Sequence, residues 1–98
     1  LAWYELFNRR PKEAIEAGRK GLEANPGELL VNTINTNLAH GYLFDGQYAK
    51  AQAIYLKYKA QKVIDGRSFK QAVLDDFKEL RKRGIDHPDM KRVERLLR

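Results

Sequence analysis

Leu38-Ala39-His40-Gly41-Tyr42-Leu43-Phe44-Asp45-Gly46-Gln47-Tyr48-Ala49-Lys50-Ala51 is the stretch on which the fold of this 98-residue chain turns. It reads as the end of one helix, a break at Asp45-Gly46, and the start of a second helix at Tyr48. Two helices joined so briefly fold back on each other as a hairpin. The stretch also has an echo 37 positions upstream: Leu1, Ala2, Leu6, Phe7, Ala14 and Lys20 match Leu38, Ala39, Leu43, Phe44, Ala51 and Lys57. A period of roughly 20–50 residues marks stacked supersecondary units. Such stacks bind other molecules along a surface and seldom carry catalytic machinery.

Outward from that turn, the sequence predicts six helical segments and no strand. The first covers residues 1–8, with Leu1, Ala2, Trp3, Leu6 and Phe7 as its apolar positions. Pro11 suits the first turn of the second helix, where its missing N–H would be unpaired anyway. That helix runs to Ala24 and packs through Ala14, Ile15, Ala17, Gly18 and Leu22, and Asn25-Pro26-Gly27 stops it. The third spans Leu29 to Phe44, with Leu30, Ile34, Leu38 and Tyr42 at four-residue spacing. The fourth, Tyr48 to Lys62, packs through Ala51, Ile54, Tyr55 and Tyr58. After the turn Asp65-Gly66-Arg67, Ser68 and Gln71 match a capping box, so the fifth helix starts at Phe69, striped by Phe69, Val73, Phe77 and Leu80. Gly84 closes it in the left-handed conformation, and Met90, Val93, Leu96 and Leu97 mark a last helix.

The quoted stretch resembles the core of a tetratricopeptide repeat. Leu38 and Ala39 match that family's Leu-Gly pair, Tyr42 the aromatic after it, and Gly46 with Tyr48 the turn. Ala51 matches the small residue early in the second helix and Tyr55 the aromatic one turn later; Leu1, Ala2, Ala14 and Pro26 repeat the pattern. Departures are Asn35 at the usual large apolar position, Val63 for the terminal Pro, Tyr58 for a small residue, and a period of 37 instead of about 34. The resemblance implies an all-α fold of antiparallel hairpins in a right-handed superhelix. Residues 1–28 would form a partial first repeat, 29–64 a second, and 68–98 a C-terminal helical cap. The run from Asp76 to Met90 is also similar to the tails of tetratricopeptide regions in large bacterial proteins, some with caspase-like peptidase domains. A chain that opens at Leu1 inside a helical pattern then reads as a piece of such a protein.

Composition narrows the function classes. There is no cysteine, which excludes disulfides, thiolate nucleophiles and Cys-based zinc sites, and no apolar run approaches the roughly 18 residues of a membrane span. A cytoplasmic protein without cofactor, metal or enzymatic activity is expected. Residues 1–49 carry five Lys/Arg against six Asp/Glu, and residues 50–98 carry fourteen against seven, so the net charge of +6 divides as −1 and +7. That asymmetry keeps nucleic acid or an acidic partner in view.

In the resembled family, the first helices of successive repeats line a groove that binds a peptide or partner helix. By position, that groove would comprise Trp3, Leu6 and Phe7 with Thr33, Thr36, Asn37, His40 and Leu43. Asn32, Asn35 and Asn37 are unfavourable in a helix, which points to a use beyond stability; solvation or contact with an upstream helix is the plainer account. Asn37 stands at one position of the carboxylate clamp found in some members, but Thr33 and Thr36 beside it are not basic, which argues against binding of chaperone tails. The second reading is nucleic-acid binding through Lys57, Lys59, Lys62, Arg67 and Lys70, interleaved with Tyr55 and Tyr58; a solvated basic face is the plainer account. A third reading is a purely structural spacer or a self-association region, with Trp3 and Phe7 covering a second copy. His87, Asp89 and Glu94, or Asp75, Asp76 and Glu79, lack a convincing metal or acid–base set and read as helix-end and polar-face residues.

Overall fold

A computed structural model describes Trp3, Leu6 and residues 8–98. Five helices are defined: α1 (Pro11–Glu23), α2 (Glu28–Phe44), α3 (Tyr48–Tyr58), α4 (Phe69–Lys82) and α5 (Met90–Leu96). Trp3 and Leu6 are also helical, and no strand occurs among the described residues. The all-α expectation holds at this level.

Local chemistry sets the boundaries. Pro11 occupies the first turn of α1. Asn25 adopts φ 55°, a left-handed conformation that asparagine tolerates better than most residues, and so ends the helix before Pro26. Gly46 (φ 81°) turns the chain between α2 and α3. Ser68 accepts a hydrogen bond from the Gln71 N–H at 3.0 Å and caps α4. The box is half made, because the Gln71 side chain donates instead to Asp75 at 2.8 Å. Helix α3 ends at Tyr58, four residues earlier than expected. The chain then enters a tight loop in which Val63 N–H bonds the Arg67 carbonyl and Phe69 N–H that of Gln61.

Helix α2 is the hub: it packs against α1, α3 and α4, while α5 rests on α3. Its apolar stripe therefore departs from the expected four-residue run. Leu30 is exposed, whereas Asn32, Asn35, Thr36, Leu38, Ala39, His40, Gly41 and Leu43 are buried. A helix with neighbours on three sides buries more than one face, and single-face periodicity cannot describe it. Gly41 marks the closest approach to α1: a Cβ there would lie 2.9 Å from Ile15 Cγ1, 3.2 Å from Ile15 N and 3.4 Å from the Pro11 carbonyl oxygen. Beyond α2, the core gathers Tyr55, Phe69, Val73, Phe77, Leu80, Met90, Val93 and Leu97. Tyr55 meets Phe69 and Phe77 edge-on at 6.5 Å, the favoured arrangement for such rings. Full burial of each such side chain contributes about 1.5–3 kcal/mol.

Helix α4 buries Phe69, Ala72, Val73, Phe77 and Leu80 and packs against α2. The described residues span 32 × 28 × 24 Å, a nearly isotropic body instead of an open spiral.

Candidate functional site

The residues expected to line an open groove divide sharply in the structure. Leu6, His40 and Leu43 are buried away from the cleft, which corrects the expectation that they face a partner, and Thr36, also buried, reaches the cleft only with its edge. For His40 the physical reason is α4: Phe77 packs its ring 5.1 Å from the His40 ring, and Asp76 reaches the imidazole from the same helix. Phe7 lies outside the described residues. Trp3, Thr33 and Asn37 remain half-buried and line one cleft.

His40 is the centre of a buried polar chain. Its Nδ1 lies 2.6 Å from the Tyr55 hydroxyl and its Nε2 3.0 Å from Asp76 Oδ2. An ionised carboxylate can only accept, so Nε2 carries the proton and donates to Asp76, leaving Nδ1 to accept from Tyr55. Burial, with the Asp76 charge behind it, pushes the Tyr55 hydroxyl well above its ordinary value of 10.0 and keeps it a donor. His40 itself is wholly excluded from solvent, whereas the Asp76 side chain keeps 19% of its surface exposed. Asp76 therefore turns inward from the polar side where the sequence placed it, and its outer edge meets the cleft.

That cleft, about 280 Å³, lies between α2, the loop 59–68, α4 and Trp3. Thr33, Thr36 and Asn37 form one wall, Val63, Ile64, Asp65 and Arg67 the loop side, and Ala72 and Asp76 the α4 side. The loop is tied down from α2. Asn32 donates to the Lys62 carbonyl at 2.8 Å, and Thr33 Oγ1 accepts the Ile64 N–H at 2.8 Å while donating to the Leu29 carbonyl. Thr36 donates to the Thr33 carbonyl, and Asn35 to that of Val31. Two of the three asparagines singled out by helix propensity are thus buried and hydrogen-bonded. Asn37 differs: its amide has no partner among the described residues.

On the loop side, Arg67 is held at 2.7 Å by Asp65 and at 2.8 Å by Asp75. Gln71 first, and Arg67 with it, draw the Asp75 carboxyl below its ordinary value; hydrogen bonding from the Arg67 backbone does the same for Asp65. Ile64 projects with 57% of its surface exposed, and Leu29 and Leu30 are exposed on the first turn of α2.

The basic half is less unified than its charge implies. Tyr55 is core, and the half-buried Tyr58 is stacked on Phe69 at 5.9 Å with Lys57 Nζ 5.5 Å from its ring centroid, so neither ring stands free for base stacking as the sequence pattern implied. Arg92 lies 3.8 Å over the Tyr48 ring, and Arg81 pairs with Glu94 at 2.6 Å. Lys91, Arg95 and Arg98 surround a shallow hollow together with that pair. His87 and Asp89 come within 3.9 Å, but Glu94 is engaged by Arg81; Asp89 pairs with Arg92 and leaves α5 without a side-chain cap. Glu79 approaches Lys82 at 3.4 Å. Among the described residues no three of His, Asp and Glu converge as a metal-binding set, and no helix is long and apolar enough to cross a membrane.

No protein-family model, curated protein or solved structure matches this chain.

Proposed function

We propose that this chain is a non-catalytic protein-interaction module of tetratricopeptide-like architecture, which docks a peptide segment in the cleft between α2, the 59–68 loop and α4. The observation that carries the reading is the cleft itself. Trp3, Thr33, Thr36 and Asn37, picked out by position in the repeat, meet there beside the protruding Ile64. The packing supports the repeat architecture. Small Ala14, Ala39 and Ala51 are fully buried at the matched positions, and Tyr55 fills the aromatic position. Helix α4 against α2 and α5 against α3 stack the cap as a further repeat would.

At about 280 Å³ the cleft has room for a side chain or a short segment. An exposed isoleucine next to an unpartnered amide offers an apolar anchor and backbone recognition together. Selection of displayed peptides on the wild-type protein, followed by rebinding to Ile64→Asp and Asn37→Ala, tests the reading. Selected peptides should lose at least tenfold in affinity for each variant. Peptides that bind both variants as tightly as wild type would remove the cleft from the account.

A second reading, binding of a polyanion, is favoured by one observation: Lys91, Arg95 and Arg98 crowd a hollow that holds one carboxylate, Glu94, already paired. Nucleic acid would then bind through phosphates with a steep salt dependence. Gel shifts across a salt series check it, and the absence of a shift at low salt would end it.

A further inference from the structure

The cleft carries a charge opposite to that of the protein around it. Two carboxylates, Asp65 and Asp76, line it against one guanidinium, Arg67, and that guanidinium is already shared between Asp65 and Asp75. The chain as a whole has a formal charge of +6. A negative hollow on a positive protein selects what enters it, because a cation gains there what an anion would lose.

The acceptors at this hollow are specific. Asp76 uses Oδ2 for His40 and lines the cleft, and its Oδ1 has no hydrogen-bond partner among the described residues. Asn37 offers its amide oxygen, equally unpartnered. Thr36 spends its proton on the Thr33 carbonyl, and its oxygen keeps acceptor capacity. His40 fixes the Asp76 rotamer from behind by donating from Nε2, so the carboxylate is held in place before any ligand arrives. Three oxygen acceptors of this kind suit a planar donor with several N–H groups. A guanidinium presents five in a rigid fork, whereas an ammonium presents three on a point charge.

Resting on the peptide-docking reading above, we infer that the cleft recognises an arginine side chain of the docked peptide, with Asp76 as its counter-ion and Asn37 and Thr36 as further acceptors. Ile64 and Trp3, at the cleft's apolar edge, receive the methylene stem and neighbouring apolar residues of that peptide. His40 is a positioning residue: it holds Asp76 and touches nothing outside the protein.

The test uses arrayed capped nonapeptides with randomised flanks and arginine, citrulline, lysine or glutamate at the centre. Affinities follow from the fluorescence of Trp3, the single tryptophan of the chain and part of the cleft wall. Citrulline keeps the shape of arginine and removes its charge. Arginine peptides should bind wild type at least tenfold more tightly than their citrulline twins, and Asp76→Asn should bring that ratio close to one. Because the arginine–citrulline comparison is made on the wild-type protein, a misfolded variant cannot mimic success. Equal binding of arginine and citrulline would overturn the assignment and leave peptide docking standing. Equal binding of lysine would overturn the guanidinium preference, and stronger binding of glutamate peptides would overturn the charge argument. Binding by none of the four would overturn the docking reading as well.

Discussion

His40 shows how one residue can change its meaning between sequence and structure. The family resemblance placed it on a groove-facing surface, yet it is sealed between Tyr55, Phe77 and Asp76. Sealed polar groups are costly when a partner is lost, because the survivor stays desolvated. Tyr55→Phe keeps the ring and removes only the hydroxyl that donates to Nδ1. It should lower stability by about 1–3 kcal/mol in chemical denaturation, the usual cost of stranding a buried acceptor. Unchanged stability would mean that a water replaces the hydroxyl. Gly41 makes a purely steric case. Alanine would gain about 1 kcal/mol in helix propensity. Its methyl group, however, would stand 3.2 Å and 3.4 Å from backbone atoms of Ile15 and Pro11, which cannot swing away as a side chain can. Separating α1 from α2 should outweigh the gain, so Gly41→Ala is expected to destabilise by about 1–3 kcal/mol, the range for overpacked cores.

Elements were legible where local chemistry decides them and illegible where a distant partner does. Pro11, Asn25, Gly46, Ser68 and Gly84 are punctuation set within a few residues, and the helices begin or end at or beside each of them. The length of α3 was overestimated because Lys59 to Lys62 carry helix-compatible residues, while the cause of the break is tertiary: burial of Val63 and the hold of Asn32 on the Lys62 carbonyl. For Asn32 solvation was one of the plainer accounts, and nothing near it in sequence reveals a carbonyl thirty residues away. The same blindness hid half the cleft, since its loop side, Val63 to Arg67, comes from a segment read as a repeat end, a turn and part of a basic face. Asn32→Ala should therefore act on the loop more than on the fold. Amide exchange at Val63 and Ile64 is expected to quicken by about fivefold to tenfold, as for loss of one hydrogen bond of about 1 kcal/mol. Equal acceleration across α1 would show global destabilisation instead.

At the scale of the molecule, acid and alkali should unfold the protein through different groups. Gln47, with Lys12 further off, holds the Asp45 carboxyl below its ordinary 3.8; Asp65 and Asp75 are lowered likewise on the far side of α2. The unfolded chain takes up these protons first, so their contribution is complete above about pH 4 and is lost as pH falls through the lowered values. Tyr55 works in the other direction. Its folded value is raised, so the unfolded chain releases the proton more readily, and the contribution is complete below pH 10.0 and lost as pH rises beyond it. Thermal unfolding from pH 2 to 12 should show a plateau with a fall at each end. The alkaline fall by itself does not identify the group that causes it. Only the difference between wild type and Tyr55→Phe isolates the buried phenol. That difference should be constant up to about pH 10 and shrink above it, as the wild type loses what the variant never had. A difference that stays constant to pH 12 would show that Tyr55 does not ionise on unfolding in that range, and the alkaline limb would then have another source.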